Sequence, residues 1–180
     1  MWIAPMTIQE QQKHYLHKMG IQTWSSRDQV DSEQSLVDES THPAAEQAPL
    51  PSWQQLKEAV ARCQLCDLSK SRSNTVFGVG SEQADLMIIG EAPGFYEDQQ
   101  GEPFVGKAGQ LLNQMLRAIG LMREQVFIAN VLKCRPPNNR DPVAHEIRTC
   151  TQYLDKQIAH IKPKLIVAVG RIAAQYLLNS

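Results

Sequence analysis

The sequence predicts an α/β fold, a three-layer α/β/α arrangement around a central parallel sheet. Two observations carry that expectation. Residues 86–89, 126–129 and 165–169 are apolar throughout. Helical patterns separate these runs, and strands that are apolar on both faces belong in a parallel sheet covered on both sides. Ligands bind such sheets at the carboxyl ends of the strands. The loops after Ile89, Ala129 and Val169 are therefore expected to line a site.

The elements follow in chain order. Residues 1–27 read as an N-terminal helical appendage, with a helical pattern from Ile8 to Met19 broken by Gly20. Residues 28–52 are rich in Ser, Glu, Gln, Pro and Ala. Residues 28–51 hold six acidic side chains and no Lys or Arg. So little apolar surface can be buried there that residues 28–52 read as an acidic flexible linker. Residues 53–180 form the expected compact domain. Its first strand is bounded by Asp85 and Gly90. Residues 108–121 then place Leu111, Leu112, Met115, Leu116 and Ile119 at helical spacing. The second strand follows. A second helix is expected over residues 142–160, opening just after Asp141 and Pro142, a good N-cap and N1 pair. The third strand leads through Gly170 into a short helix. No internal repeat is present.

Charge and composition narrow the function classes only modestly. Net charge is −1, and residues 52–180 hold 15 basic against 12 acidic side chains. Phosphate contacts carry most nucleic-acid affinity, so this mild bias does not by itself argue for DNA. The first 30 residues contain no apolar signal core, and no run of 18 apolar residues exists. A cytoplasmic protein with no membrane span is expected, with a monomer as the default. In a reducing compartment, four cysteines serve as metal ligands or buried thiols more readily than as disulfides.

Four segments carry chemistry. Cys63 and Cys66 form a CxxC pair, joined by Cys134 and Cys150, which makes a four-thiolate site attractive. Zinc and a [4Fe–4S] cluster both accept four cysteines, and spacing does not separate them. Gly90-Glu91-Ala92-Pro93-Gly94 follows the first strand, where glycine lets the backbone turn sharply and approach a ligand. Gly78-Val79-Gly80 precedes its strand instead of following it, so a dinucleotide loop is rejected there. The stretch from Glu97 to Gly109 sets Phe104 just before a helix N-terminus, where a ring can cover a planar ligand. Asn130 ends the second strand. Its amide offers a donor and an acceptor side by side, matching the carbonyl and imide of a pyrimidine. Arg135 and Arg140 follow it, as phosphate contacts or as solvated side chains.

Taken together, GEAPGFYEDQQGEPFVGKAGQLL (residues 90–112) and IANVLKCRPPNNRDP (residues 128–142) closely resemble the family 4, iron–sulfur uracil-DNA glycosylases. The resemblance spans about residues 53–178. It implies a uracil-DNA glycosylase-like domain that hydrolyses the N-glycosidic bond of deoxyuridine in DNA base-excision repair. A [4Fe–4S] cluster on Cys63, Cys66, Cys134 and Cys150 is implied, in a structural role. Phe104 would stack on the flipped uracil, Asn130 would read its edge, and Gly90, Glu91 and Ala92 would contact the base through their backbones. Glu91 and Glu97 are the expected catalytic carboxylates, for an oxocarbenium-like transition state gains from a nearby negative charge. The resemblance also implies a His-Pro segment past the third strand, whose histidine donates to the uracil carbonyl beside a DNA-inserting loop. His14, His17, His42, His145 and His160 lie outside any such motif. A C-terminally short domain without that donor, that loop and a last strand is therefore expected.

Residues 15–25, with Tyr15, Trp24 and Ser25 at their ends, are similar to the opening segment of the psi subunit of the polymerase III clamp loader. That similarity implies a chi-like partner for residues 1–27. Besides the enzyme reading stand two rivals. One is a non-catalytic iron–sulfur protein that binds DNA or a replication partner. The other is a zinc-stabilised α/β domain that binds some other nucleotide.

Overall fold

A computed structural model describes residues 50–178. The appendage over residues 1–27 and nearly all of the acidic stretch lie outside the described residues. Helix α1 (Trp53–Ala61) opens on a reciprocal cap. Gln55 N donates to Ser52 Oγ at 3.2 Å, and Ser52 N donates to Gln55 Oε1 at 2.8 Å. Such a box satisfies two backbone donors that the first turn leaves without partners. The chain continues through β1 (Val79–Gly80), β2 (Leu86–Gly90), α2 (Phe95–Gln100), α3 (Lys107–Ala118), β3 (Phe127–Asn130), α4 (Ala144–Ile161), β4 (Leu165–Ala168) and α5 (Arg171–Leu178).

The sheet runs in the order β1-β3-β2-β4. Strand β2 lies parallel to both β3 and β4, and β1 pairs antiparallel with β3. The fold is thus the expected α/β class, with one antiparallel edge added to a parallel core. The alternation along the central strands assigns the layers. Met87, Ile89, Phe127 and Ala129 face Leu56, Val60, Tyr153, Leu154 and Ala173 of the helices α1, α4 and α5. Ile88 and Ile128 face Leu112 and Leu116 of α3.

Three local expectations need correction. Helix α4 is capped at Val143 and starts at Ala144, two residues later than the Asp141-Pro142 pair suggests. Glu146 accepts the Val143 N–H at 3.0 Å and holds Arg140 at 2.6 Å, so the acidic residue one turn in fixes the start. The loop expected from Glu97 onward begins as α2, a six-residue helix. Finally, β4 is not covered on both faces, with Leu165 58% exposed among the described residues. Beside it, an apolar groove of about 350 Å³ lies between β4 and α3, lined by Ile88, Phe104, Leu111, Met115, Val167 and Val169 among others.

Candidate active site

The carboxyl ends of β2, β3 and β4 converge as the apolar runs predict. A cavity of about 300 Å³ is lined by Glu91, Ala92 and Gly94 after β2, by Asn130 at the end of β3, and by Val169 after β4. Glu97 of α2, Phe104 of the following loop and Ala108 at the start of α3 close it. The backbones that frame it are tied together. Val131 N donates to Gly90 O at 2.9 Å, Leu132 N to Glu91 O at 3.0 Å, and Val169 N to Ile89 O at 2.8 Å.

Gly90 sits between the side chains of Asn130 and Phe104. A Cβ there would lie 2.4 Å from Asn130 Oδ1 and 2.7 Å from Phe104 Cζ. Both contacts are closer than real Cβ atoms come, so only glycine lets the amide and the ring share this corner. Asn130 is 2% exposed. Its Oδ1 is the one buried side-chain oxygen or nitrogen without a hydrogen-bond partner among the described residues. An unpaired buried acceptor costs about 1–3 kcal/mol, which a ligand N–H would recover.

Phe104 is held by polar contacts rather than by deep burial. Its φ is 53°, unusual for a bulky residue. The Arg123 guanidinium donates to Phe104 O at 3.3 Å, and also to Pro103 O. Glu97 Oε1 accepts from Val105 N and Gly106 N, each at 3.0 Å. On the far side, a Cβ on Gly109 would sit 1.7 Å from Phe104 O, so α3 approaches this loop only through a glycine. Glu97 therefore spends one oxygen on the loop that carries the ring. Its neighbour Asp98 is buried, accepts from Ser73 N at 3.0 Å, and anchors α2. The Glu91 carboxyl lies above the ordinary carboxylate range, because burial disfavours its charge; Asp141 adds to the rise and Arg171 opposes it.

The four cysteines belong to the core on the face of α1, α4 and α5. All are free thiols within or against the same core cluster. Arg72 Nη1 donates to Cys134 Sγ at 2.9 Å, and the backbone N–H of Lys133 donates to Cys150 Sγ at 3.1 Å. Burial raises the Cys134 thiol and pushes Cys150 up to about 11. Among the described residues, no three His, Cys, Asp or Glu side chains are arranged to hold a single metal ion. A donor set of four thiols with N–H groups aimed at two sulfurs fits an iron–sulfur centre, whose sulfurs are tuned by such bonds.

Two supporting residues escape sequence reasoning. Lys133 is fully buried, and burial brings its ammonium down to about 8. It donates to Asn130 O at 2.8 Å and to Gln157 Oε1 at 2.6 Å, joining the amide-bearing strand end to α4. Arg123 is the other. Neither lies in a motif that separates it from a solvated basic residue, though a Lys directly before a cysteine ligand candidate is a faint signal.

A ring, an orphaned amide acceptor and two carboxylates thus surround one cavity at the carboxyl end of the sheet. The model of the uracil DNA glycosylase superfamily matches residues 77–180, and the chain belongs to that superfamily. Among its relatives, the Type-4 uracil-DNA glycosylase of Archaeoglobus fulgidus is 52% identical over 130 residues, which are 72% of this chain and 65% of that protein. The Type-4 enzyme of Sulfurisphaera tokodaii is 52% identical over 131 residues, 72% of this chain and 60% of that protein. That of Thermotoga maritima is 44% identical over 124 residues, 69% and 65% of the two lengths. The chain thus spans less than two thirds of the length of these relatives.

Proposed function

We propose that this chain releases uracil from DNA by hydrolysing the N-glycosidic bond of deoxyuridine. The observation that carries the reading is the unpaired Asn130 Oδ1 in a cavity shared with the Phe104 ring. Uracil offers an imide N–H to that acceptor, whereas cytosine offers a lone pair at the same position, which repels it. A uracil must leave the stack to arrive there, at a cost of a few kcal/mol. Stacking on Phe104 and the recovered hydrogen bond offset that cost.

The C1′–N1 bond breaks with its electron pair passing to uracil N1, a water oxygen forms the new bond to C1′, and the proton this water gives up ends on the departing uracil anion. An ionised Glu91 favours the cationic sugar and orients the water. Glu97 shares the cavity, and its first task is holding the loop beneath Phe104. Backbone groups of Gly90 and Ala92 face the base. Cys63, Cys66, Cys134 and Cys150 hold a [4Fe–4S] cluster in this reading, as a tie between the segment ahead of β1, the loop after β3 and α4. Residues 1–27 carry the contact to a chi-like partner, which a pull-down with and without them tests.

Excision of uracil from a labelled single-stranded oligonucleotide tests the central claim. Glu91→Ala should slow release by on the order of a hundred-fold or more. Asn130→Asp should raise cytosine excision relative to uracil. A folded, brown, cluster-loaded chain that releases no uracil would overturn the catalytic reading and leave DNA binding to be tested.

A further inference from the structure

Helix α2 begins with two aromatic side chains that the core does not take up. Phe95 is 49% and Tyr96 62% exposed. Their rings meet edge to face, 5.5 Å apart at 80°. Arg135, from the loop after β3, lays its guanidinium over Phe95 with Cζ 5.0 Å from the ring centroid. Arg135 Nε donates to Asn139 Oδ1 at 2.7 Å, and the outer nitrogens meet no acceptor among the described residues. Asn138 and Asn139 both adopt positive φ, which asparagine tolerates better than bulkier residues.

Isolated exposed aromatics are ordinary. This group differs in its position and company. Gly94 lines the cavity and is also the N-cap of α2, so Phe95 starts where the cavity wall ends. Tyr96 reaches toward the loop that holds Phe104, with Cδ2 3.7 Å from where a Cβ on Gly106 would be. The aromatic pair and the cation therefore continue the same rim that the loops after β2 and β3 build. Exposed rings accept the π-face of a nucleobase, and a pre-positioned guanidinium accepts a phosphate. One ligand class, a nucleic-acid strand, supplies both a base and a phosphate.

We infer that Phe95, Tyr96 and Arg135 form a second binding site for the DNA strand, with a base neighbouring the flipped uracil stacked on Tyr96 and a backbone phosphate met by Arg135. The inference rests on the uracil reading of the cavity and extends it to the strand that delivers the base. Phe95 is a positioning residue here, because its ring orients the guanidinium.

The test uses the full chain and fluorescence anisotropy on short single-stranded oligonucleotides. One probe carries a stable abasic analogue in place of the uracil nucleotide, so the cavity adds nothing to binding. A second probe also lacks the bases on either side of it. Tyr96→Ala should weaken the first probe by about ten-fold and leave the second unchanged, and Tyr96→Trp should restore affinity. Arg135→Gln should lower the salt slope of binding by about 0.7, the signature of one lost phosphate contact on a single strand. Equal losses on both probes, or none, would overturn the inference; an acidic protein segment would then be the better occupant. Uracil release by the unaltered chain is measured alongside. Absent release with intact Tyr96-dependent binding defeats the glycosylase reading alone, and normal release with Tyr96-independent binding defeats the second site alone.

Discussion

The two faces of the sheet are finished in opposite ways. On the face of α1, α4 and α5, Leu56, Val60, Leu154 and the cysteines close a dense core. The face of α3 leaves a groove of about 350 Å³ beside β4, and Phe104 stands where groove and cavity meet. Packing immobilises the first face. On the second, the ring that matters is fixed by Arg123, Glu97 and the space at Gly109. Hydrogen bonds are directional and dispersion is not, so a polar clamp can set the pose of a side chain that the core leaves half-exposed.

That contrast can be broken, starting with the largest effect. Leu154→Ala opens a cavity in the dense face and should cost about 2–5 kcal/mol in denaturant unfolding. Arg123→Met removes a charged donor from two carbonyls and should lower kcat/KM for uracil release by about ten- to a hundred-fold. If Arg123 acts through the ring, the same substitution made in a Phe104→Ala background should do little more, and a double-mutant cycle measures this directly. A smaller effect concerns pH. Burial holds the Glu91 proton on to higher pH than an ordinary carboxylate, so release that needs the ionised form fails on the acid side at a raised pH. Asp141→Asn should move that acid limb to lower pH and Arg171→Gln to higher pH, read from pH–rate profiles. The smallest effect is expected for Met115→Ala, whose side chain is 60% exposed in the groove. It should change stability by no more than about 0.5 kcal/mol.

The sequence is legible where periodicity and composition speak. The apolar runs give β2, β3 and β4 nearly to the residue, and with them the loops that line the cavity. Asn130 is readable as the end of a strand. Strand β1 is not, since two residues carry no period, and Gly80 and the preceding Gly78 sit at φ 123° and 140° close against β3. A Cβ on Gly80 would meet Val126 O at 1.8 Å, a constraint set by a residue 46 positions away. Helix α2 escapes for a similar reason: six residues with two aromatics facing outward show no buried stripe. Arg123 and Lys133 act across 19 and 24 residues of chain, on Phe104 and Gln157. Such pairings exist only once the chain is folded.

The corner at Gly90 has a consequence for anyone altering this protein. A single hydrogen atom there stands where any other residue would drive a carbon into an amide oxygen and an aromatic ring at once. Graded tuning is therefore closed at this position. A library of replacements should sort into one working variant and a uniform class of blocked ones, whatever their size or polarity. Gly90→Ala is in that sense a switch rather than a dial, a small change suited to making a chain that keeps its outer surface and refuses its guest.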